Sequence, residues 1–548
     1  MQLSLITYVT YMHGGTMYRS IKHNKLTGQW YAYDCVSYRD PVTKKPKQKS
    51  TCIGRYNPET QEITPTDGRM KKAAERKKNS LILNPTKKKN LLPHAVLNCG
   101  EPAVMLAVAK QIGLLEVLQS AFPEQWDQIL LVAIYVICQG SVMSYVDDWL
   151  DSTKFDYPNF NDVKCSQLMA SLTFEQRQSF FQKWVAYRNE IEHIAIDVTS
   201  ISTSSNNIEI VEWGYNRDNE KIPQINYGMF VGIETKTPVY YTTYSGSVPD
   251  KASLEFSMIN AKDIGINQAT FVMDQGFVTK DNISYVIAND YKFITVMPST
   301  RKETKAIITE LGSSVEVAEN WIAEHKLFGA KHKINLDGHE LYAHIYFSNQ
   351  RKTLETESIF EYFEKLENEL KQLTLSKELP KRYTENFVIE GTAKTTFTYK
   401  RKMDVINMKL KQCGFFILLT NNSEYSSSEV IDMYRQKDSI EKHFDQLKNW
   451  LDFYRLRTHN IKTTERKMFI GFIALIIRSN MLNRLKNNEI TKKLTFEKVL
   501  IELKKIRTVI MSDMSENLIT LTKTQKTILE LFNVKESDLM KYSSFERL

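Results

Sequence analysis

Between residues 192 and 298 the chain alternates short apolar runs with amphipathic stretches, and that order limits its fold more than any other feature. The run 192-EHIAIDVTSIS-202 alternates through Asp197 and reads as a half- to fully buried strand. A second such strand, 269-ATFVMDQGFVTK-280, brings Asp274 just ahead of a Gln-Gly turn. Two further strands, 226-NYGMFVGIET-235 and 238-PVYYTTYSG-246, lie between them, and 251-KASLEFSMINAKDIG-265 reads as an amphipathic helix ending at a glycine. With 292-KFITVMP-298 the order is strand, strand, strand, helix, strand, helix, strand, an α/β pattern. A lone Asp at a strand end is most often a turn or helix-capping residue, so neither acid marks a site by itself.

A third acid lies far downstream. The stretch 431-IDMYRQKDSIEKHFDQLKNWL-451 carries Tyr434, Lys437, Glu441 and Lys448. On a continuous α-helix these four side chains fall within about 60° of one another. Ile440, Phe444, Leu447 and Leu451 form a separate apolar stripe. One face packs, while its neighbour presents a carboxylate beside two ammonium groups and a phenol. A Glu between lysines on a helix is usually a solvated pair. Asp445 shares the functional face and is expected as a salt-bridge partner of Lys448 rather than as a metal ligand.

The spacing resembles the Tyr-x2-Arg-x3-Glu-x6-Lys motif of insertion-sequence transposases of the DDE class. Tyr434, Glu441 and Lys448 match, and Lys437 stands where the family usually has Arg, a point charge in place of a planar fork. The strand order around Asp197 and Asp274, the Asp-Gln-Gly-Phe run and the strand 414-GFFILLTNN-422 also look like this family, over residues 90–490. The resemblance implies an α/β multidomain protein with a ribonuclease-H-like core. It implies Asp197, Asp274 and Glu441 as catalytic, metal-binding acids, with Tyr434, Lys437 and Lys448 toward DNA. Phosphodiester cleavage and transfer need charge stabilised on both attacking and leaving oxygens, which two Mg²⁺ ions about 4 Å apart supply. Mn²⁺ can substitute for Mg²⁺. By resemblance Asp197 is the bridging ligand.

Asp274 and Glu441 are 167 residues apart, too far for an unstructured connection. Residues 301–405 are therefore expected as an inserted domain, mainly β by resemblance. It would hold a helix near 316–327, a hairpin at 332–348, a charged helix at 354–375 and a strand within 386–399. His332, His339 and His344 read as ordinary strand residues. The expected organisation is a basic β-containing region at 1–90, a helical region at 91–190, core segments at 191–300 and 406–490 flanking the insertion, and helices at 491–548. The N-terminal regions are expected to bind DNA.

Charge supports the first of these regions. Between Arg39 and Lys89 there are fifteen Lys/Arg against five Asp/Glu, in a chain whose net charge is only +9. Such a tract can be a mere solvated tail, but a β-meander at 28–57 precedes it, and compact basic elements suit phosphate neutralisation along DNA. The six cysteines form no CxxC pair, which disfavours a disulfide framework or zinc site. The longest apolar runs, 130–138 and 468–477, read as too short to cross a bilayer, so no membrane role is expected. The helix 464–485 is expected to pack an apolar face on the core sheet, and 495–511 and 524–534 to be short helices.

The expectation is a DNA transposase of a bacterial insertion sequence, cytoplasmic and associated with the nucleoid. It would act on double-stranded DNA, at terminal inverted repeats and target, as a homodimer in the synaptic complex. The alternatives are a ribonuclease-H-like nuclease that cuts without joining, and a transposase-derived DNA-binding protein without catalysis.

Overall fold

The computed structural model describes residues 5–12, 15–24, 27–39, 45–65, 92–188, 193–205, 207–372, 379–390 and 398–541. The chain divides into two compact units, Met1–Leu92 and Pro93–Leu548.

The first unit is an antiparallel meander of five strands: β1 (Leu5–Met12), β2 (Gly15–Asn24), β3 (Gln29–Arg39), β4 (Pro46–Tyr56) and β5 (Ile63–Thr64). The sequence reading anticipated β3 and β4 but not β1 and β2. Arg19 and Asp34 face each other across β2 and β3, and their side chains pair at 2.9 Å. Most of the basic tract, residues 66–91, lies outside the described residues.

The second unit is built on one large mixed sheet. Its strands are β7 (His193–Ser202), β8 (Gln224–Gly232), β9 (Pro238–Ser245), β10 (Thr270–Met273), β11 (Lys292–Val296), β12 (Trp321–Ile322), β13 (Leu327–Leu336), β14 (His339–Phe347) and β17 (Phe415–Thr420). They lie in the order β12-β13-β14-β17-β11-β10-β7-β8-β9. From β7 to β11 the elements follow the expected chain order of strand, strand, strand, helix, strand, helix, strand, with β8 and β9 antiparallel to their neighbours and β10 and β11 parallel to β7. All nine residues of β8 are buried, between β7 and β9 and beneath the helix Asp438–Asp445.

Residues 301–405 divide between two structures. β12, β13 and β14 extend the main sheet through β17, and Asp337 and Gly338, both at positive φ, make the tight turn between β13 and β14. The helix Asn349–Gln372 and the ribbon of β15 (Phe387–Glu390) and β16 (Thr398–Arg401) enclose a separate small core around Phe363, Leu366 and Phe387. The helix expected at 316–327 is absent. That stretch is turns, a short 3-10 segment and β12, held by the Trp321–Phe328 ring contact at 5.0 Å.

Helices from 100 to 188, the sheet and the C-terminal helices share one apolar core. The helix Ile461–Asn487 packs against Trp126–Gln139 and β9, buried nearly all round rather than along one stripe. At 27 residues it is long and apolar enough to cross a membrane, contrary to the sequence reading, but 78% of its most apolar window is buried within the protein. Residues 507–511, expected as helix, form β18 (Arg507–Met511), which pairs with β6 (Pro93–Asn98) and β19 (Glu516–Leu518). Val509 and Ile510 are β-branched, and β6 offers a free edge, so pairing outweighs helix propensity there.

Candidate active site

Register brings the two strand acids together. Met273 of β10 pairs in parallel with Ile196 of β7, so Asp274, the next residue, lies beside Asp197. Adjacent strands run about 4.8 Å apart and equivalent residues of a parallel pair point to one face, so both carboxylates project on the same side. Asp197 is mostly buried, with its side chain 19% exposed. Its Oδ1 accepts the Val198 amide at 2.8 Å, and its Oδ2 lies 3.9 Å from Lys437 Nζ. Burial pushes the Asp197 carboxyl up to about 6, against the attraction of Lys437; Asp274 adds repulsion.

The helix expected to run unbroken from 431 to 451 is divided. Ser426 caps Ser427–Gln436 with a capping box closed by Glu429, the chain tightens at Lys437, and Asp438–Asp445 continues into a π-helical turn at Gln446–Trp450. Each π residue advances less around the axis, so Lys448 leaves the line of Glu441. Lys448 is buried and donates to Asp218 at 2.7 Å, in the β7–β8 connection. Burial lowers the Lys448 pKa, and Asp218 opposes that. Asp445, expected as the partner of Lys448, instead accepts from Asn449 at 2.8 Å and from Trp450 at 3.1 Å.

Glu441 is exposed, on a helix packed against β7 and β8. Tyr434 is half-buried, and its hydroxyl is raised above the ordinary range by burial and then by Asp274, Asp438, Asp197 and Glu441. Thus the phenol feels all three expected acids. It borders, with Asp274, a cleft of about 840 Å³ that continues past Arg351 to Lys409.

The β7–β8 connection was missed by the sequence reading. Arg217 lowers the Asp197 pKa by its charge and pairs with Asp250; Glu220 accepts from Arg455 at 2.5 Å and from Tyr454 at 2.8 Å. The charged run 216-NRDNE-220 was the available signal.

For a divalent cation, Asp197 and Asp274 offer hard oxygen donors in a partly desolvated place, which suits Mg²⁺. The three expected acids do not converge as tightly as Glu324, His325 and Asp432. Among the described residues, those form the one group whose ligand atoms all lie within 4.8 Å. Both His325 nitrogens are engaged there, with Asp432 at 2.5 Å and Arg435 at 2.6 Å, and a guanidinium beside the ring disfavours a cation. His344 is buried beside Ser427, and His339 meets Ser284 at 2.7 Å.

A mixed sheet that sets one acid on a strand and a second at the end of its parallel neighbour is the class of scaffold on which metal-assisted phosphodiester chemistry can be built. The sequence profile described as "Transposase DDE domain" matches residues 188–477, more than half of the chain. The chain belongs to this family of DDE-class transposases. Among solved structures, a piggyBac transposase synaptic complex with hairpin DNA, seen by cryo-electron microscopy, is similar at 11% identity and a TM-score of 0.32, over 80% of this chain and 72% of that one. No curated protein matches.

Proposed function

We propose that the protein cuts and joins DNA at the ends of a bacterial insertion sequence, with Asp197, Asp274 and Glu441 as its catalytic acids. The observation that carries this reading is the parallel register that sets Asp274 beside Asp197 in a chain of the DDE family. Mg²⁺, or Mn²⁺ in its place, would be held by these acids and would supply charge neutralisation at the scissile phosphate. The protein's own part is to hold the carboxylates on one face and keep them partly dry. Lys437 places a positive charge against Asp197, within reach of a phosphate there, and Tyr434 meets the DNA from the cleft as a neutral phenol. Lys448, through Asp218, fixes the β7–β8 connection to the helix and serves DNA binding by positioning.

In the same reading residues 1–90 bind element ends through the meander and the basic tract. The active species is a homodimer on paired ends, working in the cytoplasm on the nucleoid. The test is a duplex carrying the inverted repeats that flank the gene, incubated with the full chain and Mg²⁺ or Mn²⁺. Cleavage at the repeat boundary followed by joining is expected. Cleavage in excess EDTA overturns the metal-dependent mechanism, and cleavage without joining supports a nuclease instead. Deleting residues 1–90 should abolish tight end binding; unchanged affinity and salt dependence would remove that role.

A further inference from the structure

The helix Asp438–Asp445 also borders a second cavity, of about 350 Å³, with walls from the long helix Ile461–Asn487 and the β8–β9 turn. His443 ties two of these walls together, its ring nitrogens 2.6 Å from the Ser439 carbonyl oxygen and 3.0 Å from that of Lys236. Lys236, Lys442 and Lys486 line the opening, and none of them forms an ion pair with a described residue. They are close enough that Lys442 and Lys236 add to burial in lowering the Lys486 ammonium. The acids of the lining are Asp432, already held by His325, and Asp438.

Beneath the lysines lie polar groups with no protein partner. Ser439 and Ser479 are 9% and 2% exposed, both line the cavity, and neither hydroxyl makes a hydrogen bond. A buried hydroxyl left unpaired costs stability, so two at one place beside three crowded ammonium groups call for a ligand rich in acceptors. The buried Gln446 amide also faces this space with its oxygen unpartnered, and a half-turn would present its NH₂ there. The lining holds one apolar side chain, Leu482, and no Phe, Tyr or Trp to stack a base.

We propose that this cavity binds a phosphate group, and that the group is a backbone phosphate of DNA entering beside the Glu441 helix. The inference rests on the reading of the chain as a DNA-cutting transposase. Lys236, Lys442 and Lys486 neutralise the phosphate, while Ser439 and Ser479 donate to its oxygens.

The test compares the full-length wild type with a Lys236→Gln/Lys442→Gln/Lys486→Gln variant in binding to a 50-base-pair duplex across a salt series. Loss of one neutralised phosphate should lower the slope of log K against log salt by about 0.9. Affinity should fall about tenfold for duplexes of any sequence. A control variant of equal charge change at the exposed Lys164, Lys262 and Lys365 should alter the slope by less than half as much. Ser479→Ala should weaken binding severalfold and leave the slope unchanged. Equal slopes for wild type and the cavity variant overturn the proposal. So does thermal stabilisation of the wild type, but not the variant, by millimolar inorganic phosphate with no change in the DNA slope: the ligand is then a free phosphate. Failure of the wild type to cut DNA with any metal overturns the transposase reading itself, and is measured separately from the slope.

Discussion

Asp197 sits on a strand and Asp274 just past the end of the next one, Glu441 and its neighbouring lysines on a helix, and the two regions hold their side chains by different means. The strand pair is set by hydrogen-bond register: once Met273 pairs with Ile196, the acids share a face and a level. The helix has no such ladder to a neighbour. Its phase depends on how it packs, and the tightening at Lys437 and the π turn at Gln446–Trp450 each rotate the side chains C-terminal to them. Lys437 and Lys448, expected beside Glu441 on one open face, are buried against Asp197 and Asp218. A strand tolerates no gradual error, because a slip of one residue reverses every side chain, whereas a helix can drift by part of a turn.

Substitutions of the acids test this contrast most strongly. Asp197→Asn and Asp274→Asn should each cut cleavage of an end-containing duplex by about a thousandfold or more, since metal-held charge stabilisation amounts to several kcal/mol. Gel-shift binding should survive. Glu441→Gln should fall as far if the helix brings its carboxylate to the same metals; near-wild-type cleavage would leave the strand pair as the site and remove Glu441.

Stability against pH sharpens the same point. The folded Asp197 pKa, about 6, stands above its ordinary 3.8, so the stability that this shift confers is present in acid and lost as pH rises through 6. Asp197→Asn should therefore match the wild type in urea at pH 3.5 and exceed it at pH 7.5, by up to about 3 kcal/mol. Mg²⁺ should narrow the gap by stabilising the wild type alone. An equal midpoint at both pH values would show that burial of the carboxylate carries no such cost.

On the helix, Lys448→Met and Asp218→Asn test positioning. A double-mutant cycle in urea should give a coupling of about 1.5–3 kcal/mol, as for a hydrogen bond to a charged group. No coupling, with strand joining slowed by Lys448→Met alone, would return Lys448 to the DNA. The smallest effect is expected of Tyr434→Phe, which keeps the ring and removes one neutral hydroxyl. Joining of pre-cleaved ends should slow by about fivefold, equivalent to roughly 1 kcal/mol. A loss beyond a hundredfold would make the phenol part of the chemistry.

Much of this was legible in the residues. The strands around Asp197 and Asp274, the helix ending at Gly265 and the hairpin turn at Asp337–Gly338 come from local periodicity and turn chemistry, which neighbouring residues alone determine. The charged helix beginning near Leu354 was clear for the same reason. Residues 316–327 were misread because a short apolar pattern suits helix and strand pairing alike, and β13 decides between them. Residues 507–511 were misread similarly, since their partner β6 lies some 400 positions earlier.

By itself, then, the sequence determined which segments are strands and helices in the core, which acids stand at strand positions able to meet, and which family motif the chain carries. Only the tertiary structure decided that Lys448 faces Asp218, that Lys437 lies against Asp197, and that Ser439 and Ser479 line a cavity beneath three lysines. The reason is physical. Periodicity reports the face of an element that avoids water, and it is written in residues a few positions apart. The partner of a buried charge or hydroxyl is chosen by elements distant in the chain, through packing that no local pattern encodes.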